Sequence, residues 1–190
     1  HRDATGIRIF RDGDSIQVLD QKTLIPFVER VIRKVEYINS EVIRLELEPL
    51  SPATADNAGR MPEQEIKPGQ VVENISHNVA LTFRHNIVRG NRARGMLIAS
   101  RGRTVLADCY FHTSGAAVLF EANGEYWFES GGTSDVTIRG CRFDACRHGR
   151  WGNAVIECAR RKATEEGRYF HRSIRVLDNT FRIADGGAPA

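Results

Sequence analysis

Leu81-Thr82-Phe83-Arg84-His85-Asn86-Ile87-Val88 is the stretch on which the fold reading turns. Three later segments overlay it: Thr104-Val105-Leu106-Ala107-Asp108-Cys109-Tyr110-Phe111, then Val136-Thr137-Ile138-Arg139-Gly140-Cys141-Arg142-Phe143, then Ile174-Arg175-Val176-Leu177-Asp178-Asn179-Thr180-Phe181. Each opens with an alternating strand, continues through two mostly polar residues to an Asn or Cys, and ends one residue later on Val or Phe. Measured at that Asn or Cys, the spacings are 109 − 86 = 23, 141 − 109 = 32 and 179 − 141 = 38. The first matches a bare solenoid repeat of roughly 20–45 residues, and the longer two require inserted loops.

A further strand follows in the same order: Gly95-Met96-Leu97-Ile98-Ala99, Gly115-Ala116-Ala117-Val118-Leu119-Phe120, and Gly152-Asn153-Ala154-Val155-Ile156-Glu157. Two or three short strands per turn, with no helical period between them, exclude helical and leucine-rich solenoids. Short strands stacked about 4.8 Å apart satisfy their backbones through parallel ladders. The expectation is an all-β chain in which residues 70–190, from about Val71 to Ile183, form rungs of a right-handed parallel β-helix. Asn86 and Asn179 then occupy a corner where a side-chain amide can bond its own backbone and a neighbouring rung. Cys109 and Cys141 fill the same corner in the middle rungs as small, soft, buried groups.

Residues 1–69 differ in kind. Gly6–Phe10, Ser15–Leu19, Val31–Ile38 and Val42–Glu48 alternate over short spans, with turns at Gly13-Asp14, Asp20-Gln21 and Asn39-Ser40-Glu41. Phe27-Val28-x-x-Val31-Ile32-x-x-Val35 also fits a helical period, so that stretch reads either way. Ser51–Gly69, with Pro52, Pro62 and Pro68, reads as a linker or exposed loop. A small antiparallel, barrel-like β unit is expected here.

Composition narrows the function classes. The 190 residues are 41% hydrophobic and 27% charged, with a net charge of +3 from interspersed charges. No basic block points to nucleic acid, and no run of 18 uncharged apolar residues could span a bilayer. Neither end carries a capping element, and the expectation is a piece of a longer chain whose leader, if any, lies elsewhere. Cys109, Cys141, Cys146 and Cys158 form no Cys-x-x-Cys pair and lack zinc-finger spacing, so they read as thiols rather than a metal site.

The ordered segments Asn91-Arg92-Ala93-Arg94-Gly95, His112-Thr113-Ser114-Gly115-Ala116-Ala117, Tyr126-Trp127-Phe128-Glu129-Ser130-Gly131, Trp151-Gly152-Asn153-Ala154-Val155-Ile156 and His171-Arg172-Ser173-Ile174-Arg175-Val176 carry a family resemblance. Together they resemble the α-1,3-galactosidases of glycoside hydrolase family 110. The resemblance implies a β-helix with a small β-barrel insertion and a glycan substrate. It also implies removal of terminal α-1,3-linked galactose with inversion, no metal or other cofactor, and a secreted or periplasmic setting. It places an Asp-Asp pair before an Asn-Val-His, so the catalytic acids are expected ahead of His1. It also leads one to expect Asp where this chain has Asn123.

Glycoside hydrolysis needs two carboxyls facing one groove, about 6.5–9.5 Å apart for inversion. Within the chain the carboxyl candidates are Glu121 and Glu129, which flank Tyr126 and Trp127 in an insertion between rungs. Substrate contacts are expected from Asn123, Trp127, Arg94 and His112, since a ring stacks on a pyranose while polar groups bond its hydroxyls. Each has a bland counterpart. The loop can simply fold Trp127 over the core, Arg92 and Arg94 can be solvated, and His112 can cap a turn. Trp151 reads as a packing residue, and Asp108, Asp135, Asp144 and Asp178 as turn formers. Two other functions share the scaffold: a polysaccharide lyase, which needs a Ca²⁺-binding acidic cluster, and a glycan-binding adhesin without turnover.

Overall fold

The computed structural model describes residues 9–49, 65–121, 132–149, 151–159 and 170–183. They are all-β, with antiparallel and parallel sheets and no helix among the described residues. Two compact units divide the chain, with the change between His77 and Asn78.

The first unit holds β1 (Ser15–Leu19), β2 (Pro26–Tyr37), β3 (Ile43–Leu47) and β4 (Val71–Asn74), in the order β3-β2-β1-β4. The ambiguous stretch Phe27–Val35 is strand, because β2 pairs antiparallel with β1 and with β3 at once. Pro26 sits at its first residue, where a missing N–H costs no ladder bond. Ile16 and Ile32 are buried with Phe10, and Val35, Ile43, Leu45 and Leu47 pack against them. Polar side chains set the turns. Asp20 Oδ1 accepts from the N–H groups of Lys22 and Thr23 at 2.9 and 2.8 Å, and Asn39 Oδ1 from those of Glu41 and Val42 at 2.8 and 2.9 Å. The boundary differs from the sequence expectation at one strand: Val71–Asn74 does not open the rungs but pairs antiparallel with β1, Val72 opposite Val18. Its alternation suits either sheet, and the turn at Gly69, with φ of +89°, delivers it to the open edge of β1. The strand expected over Gly6–Phe10 falls mostly outside the described residues.

The second unit contains three parallel sheets visited in rotation. β5 (Leu81–Arg84), β8 (Thr104–Ala107), β11 (Val136–Arg139) and β14 (Ile174–Leu177) form the first sheet. β6 (Ile87–Arg89), β9 (Tyr110–His112), β12 (Arg142–Asp144) and β15 (Thr180–Arg182) form the second. β7 (Met96–Ile98), β10 (Val118–Phe120) and β13 (Ile156–Cys158) form the third. Leu81 pairs with Thr104, Thr104 with Val136, and Val136 with Ile174, which reproduces the 23, 32 and 38 residue steps.

Burial follows the pleat. Leu106, Ile138, Phe111, Phe143, Val118 and Phe120 are buried between the sheets. Along the second sheet Phe143 stacks on Phe111 at 5.1 Å and on Phe181 at 4.9 Å. The first corner of each turn is two residues long, and its leading residue is left-handed: His85 (φ 54°), Asp108 (54°), Gly140 (61°) and Asp178 (52°). The residue after it plays the part read from sequence. Asn179 accepts from Cys141 N–H at 2.8 Å and donates to Ile138 O at 2.9 Å, across to the preceding turn. Asn86 donates to Arg84 O at 2.7 Å. Cys109 and Cys141 are buried and unbridged, their thiols 3.1 and 3.4 Å from Ala107 O and Arg139 O. Burial raises the pKa of Cys141.

Candidate functional site

A cluster of polar side chains of the second unit lies on the outer face of the second sheet. Phe111 and Phe143 point inward, so their neighbours Tyr110, His112, Arg142 and Asp144 point outward. Parallel register then lines up Arg89 with His112 and Asp144 with Arg182.

Asp144 is the hub. Its carboxylate accepts the Tyr110 hydroxyl at 3.1 Å and pairs with Arg182 Nε at 3.1 Å and an Arg142 guanidinium nitrogen at 3.5 Å. Desolvation, then the bond to Asp144, raise the pKa of Tyr110 and keep it a phenol that donates. The turn-forming role expected of Asp144 is therefore corrected: it ends a strand and organises three side chains.

Its backbone carbonyl does a second job. His112 Nδ1 lies 2.8 Å from Asp144 O, and His148 Nδ1 lies 3.0 Å from Ala145 O. A carbonyl only accepts, so both Nδ1 atoms carry protons, and in the neutral form of each ring the lone pair falls on Nε2. The two rings stack with centroids 5.3 Å apart and an interplanar angle of 26°. Chemically this is a pair of oriented hydrogen-bond acceptors, suited to substrate hydroxyls. His148 was not picked out from sequence, because its link to His112 arises only from the register of β9 and β12.

Of the expected site residues, His112 lies in this cluster. Arg94 is exposed on the turn between β6 and β7, one turn of the coil from His112. Glu121 is half-buried directly after β10. Asn123, Trp127 and Glu129 lie outside the described residues. Trp151 departs from its expected packing role: it is 54% exposed, with the Arg92 guanidinium 6.0 Å from its ring centroid. The strand that follows it begins only at Ile156, so the pleat does not turn its ring inward.

A second histidine has no role assigned to it from the sequence. His171 Nδ1 accepts the Thr133 N–H at 3.3 Å, which puts the ring proton on Nε2, a buried atom with no acceptor among the described residues. Burial, with a smaller contribution from Arg101, lowers its pKa to about 4. The ring is neutral at physiological pH and packs edge-on against Phe170 at 4.8 Å. Among the described residues no group of three or more His, Cys, Asp or Glu could hold a metal ion.

Residues 1–57 match the family model described as GLAA-B beta-barrel domain II. An alpha-1,3-galactosidase A of Akkermansia muciniphila is 29% identical over 189 residues, covering 99% of this chain and 29% of its own length. An alpha-1,3-galactosidase B of Bacteroides thetaiotaomicron is 29% identical over 184 residues, 95% of this chain and 28% of its own. An alpha-1,3-galactosidase B of Bacteroides fragilis is 36% identical over 128 residues, 63% of this chain and 22% of its own. The resemblance read from the residues is thus borne out: curated alpha-1,3-galactosidases align with nearly the whole chain, which spans 22–29% of the length of these relatives.

Proposed function

We propose that the natural full-length protein hydrolyses terminal α-1,3-linked galactose from glycans, with inversion, and that this chain supplies part of its substrate-binding face. The observation that carries the reading is the alignment of 95–99% of the chain with alpha-1,3-galactosidases at 28–29% identity. The histidine pair supports it, because an exo-acting site must grip a terminal sugar through its hydroxyls. In this reading His112, Arg94, Asn123 and Trp127 contact substrate. The catalytic acids are an Asp-Asp pair outside this chain, with Glu121 and Glu129 as the alternative carboxyls within it. The three-sheet coil is a right-handed parallel β-helix, since strand–crossover–parallel-strand connections take that hand in about 98% of cases. No cofactor is needed, the setting is secreted or periplasmic, and neither nucleic acid nor membrane is a partner.

The test is hydrolysis of an α-1,3-galactosyl oligosaccharide by the full-length protein, followed by ¹H NMR of the anomeric protons. Early appearance of β-galactose is expected. Early α-galactose would overturn inversion, and no galactose release at all would overturn the function. Replacing His112 by Ala is expected to lower kcat/KM at least tenfold, about one lost hydrogen bond to a substrate held out of water.

A further inference from the structure

We propose that the turn bearing Trp151 is a binding subsite for a pyranose that carries an anionic substituent, a sulfate ester or a carboxylate. The proposal rests on the glycan-hydrolase reading and adds the charge class of the sugar.

The turn is built to hold its shape. A Cβ added at Gly115 would lie 1.5 Å from Ala93 O and 2.8 Å from Trp151 O, so three successive turns meet backbone to backbone there. Gly149 N–H donates to Ser114 O at 2.7 Å, Arg147 N–H donates to Thr113 O at 2.9 Å, and the Ser114 hydroxyl donates to Arg92 O. Gly152, with φ of +86°, turns the chain directly after Trp151. The result is a large aromatic ring, 54% exposed, beside Arg147 and Gly149, which are tied to the preceding turn. Ordering a rigid aromatic costs little entropy, which makes it an efficient stacking surface.

One guanidinium lies over that ring and a second is tied to its turn. The Arg92 guanidinium lies 6.0 Å from the ring centroid. Arg147 Nε donates to Gly152 O at 3.1 Å, which ties a second guanidinium to the same turn. Arg94 is exposed two residues from Arg92. The neighbouring acid, Glu157, is already engaged by Asn153, whose backbone N–H and side-chain amide donate to its two oxygens at 2.8 and 2.7 Å. A neutral sugar would use the ring and leave the guanidinium forks unmatched. A sulfate or carboxylate on the stacked pyranose fits them, because the planar fork bonds two oxygens at once.

The experiment is isothermal titration of the natural full-length protein with three ligands: a neutral α-galactosyl oligosaccharide, its sulfated counterpart and its hexuronic-acid counterpart. At low salt one or both anionic ligands should bind about tenfold more tightly than the neutral one, and 0.5 M NaCl should remove most of that difference. Whichever binds tightly identifies the anion. Trp151→Ala should weaken both classes about tenfold, Trp151→Phe should restore most of it, and Arg92→Gln with Arg147→Gln should erase the anionic preference alone. Equal affinity for neutral and anionic ligands, or no effect of Trp151→Ala in a variant of unchanged circular dichroism, would overturn the proposal. So would tighter binding of a single-stranded oligonucleotide, since stacking aromatics flanked by arginines also suit bases. Galactose release from the neutral substrate is scored separately, so loss of that activity counts against the proposed function and not against this subsite.

Discussion

Truncating Phe143 to Ala tests the register of the second unit in one measurement. Phe143 is 1% exposed, and its ring lies between those of Phe111, at 5.1 Å and 15°, and Phe181, at 4.9 Å and 12°. Removing a fully buried Phe side chain costs about 3–5 kcal/mol, transfer and cavity terms together. Within that figure each ring pair accounts for about 0.5–1.5 kcal/mol beyond area burial. A double-mutant cycle between Phe111→Ala and Phe143→Ala should therefore return a coupling of about 1 kcal/mol. Leu at the same site keeps apolar volume and should cost only about 1.5 kcal/mol. Arg142, next along the strand, faces outward, and Arg142→Ala should cost below about 1 kcal/mol. The assay is urea unfolding of the natural protein, followed by circular dichroism and fluorescence. A one-residue slip would turn Phe143 outward and Arg142 inward. A cost below about 1.5 kcal/mol for Phe143→Ala, together with a larger one for Arg142→Ala, would refute the described register.

Four further outcomes follow from the corners, the turns and a buried histidine. Asn179→Ala, which strips two bonds from the preceding turn's backbone, should cost about 2 kcal/mol in the same unfolding assay. Asn86→Ala, which loses only a bond within its own turn, should cost less than half of that. Gly115→Ala should cost about 3 kcal/mol or prevent folding, because the added methyl meets the Ala93 carbonyl and not a movable side chain. His171 is neutral in the fold, with a pKa of about 4 against an ordinary 6.5. The unfolded chain binds the extra proton first as pH falls, so this contribution is complete above about pH 6.5 and lost progressively toward pH 4. The full shift corresponds to about 3 kcal/mol, and solvent screening of a partly exposed ring reduces it to about 1–2 kcal/mol. Stability measured at pH 7 and pH 4.5 should differ by less in His171→Gln than in the native protein.

Much of the architecture was legible because one column of residues marks it. The step from Asn86 to Cys109, Cys141 and Asn179 predicted which strands pair, and the ladder Leu81–Thr104–Val136–Ile174 follows it. Val71–Asn74 misled because four alternating residues suit an antiparallel edge as well as a rung, and only the position of β1 decides. The strands β6, β9, β12 and β15, at three residues each, were too short to show a period and were read as single Val or Phe positions. That loss hid the polar cluster. Without β9 and β12 as strands, nothing placed Asp144 beside Tyr110 and His112 or showed that its carbonyl orients an imidazole. His112 and Arg94 were expected from their places in the turns and from the family resemblance, and His148 had no signal of its own. Trp151 was misjudged because a Trp before an apolar run reads as core, whereas the strand starts five residues later.

The left-handed corner also has a bearing on how such a coil tolerates change. Between the first and second strands every turn uses two residues, whereas the other corners run from five residues at 99–103 to fifteen at 121–135 and 159–173. Length added at those other corners does not propagate into the pairing of the next turn, since the ladder is re-set each time the chain passes the short bend. Those corners can therefore be lengthened, shortened or exchanged while the stack of phenylalanines along the second sheet stays in phase. A single residue gained at one short bend would shift the ring of that turn, because two residues leave no slack to absorb it.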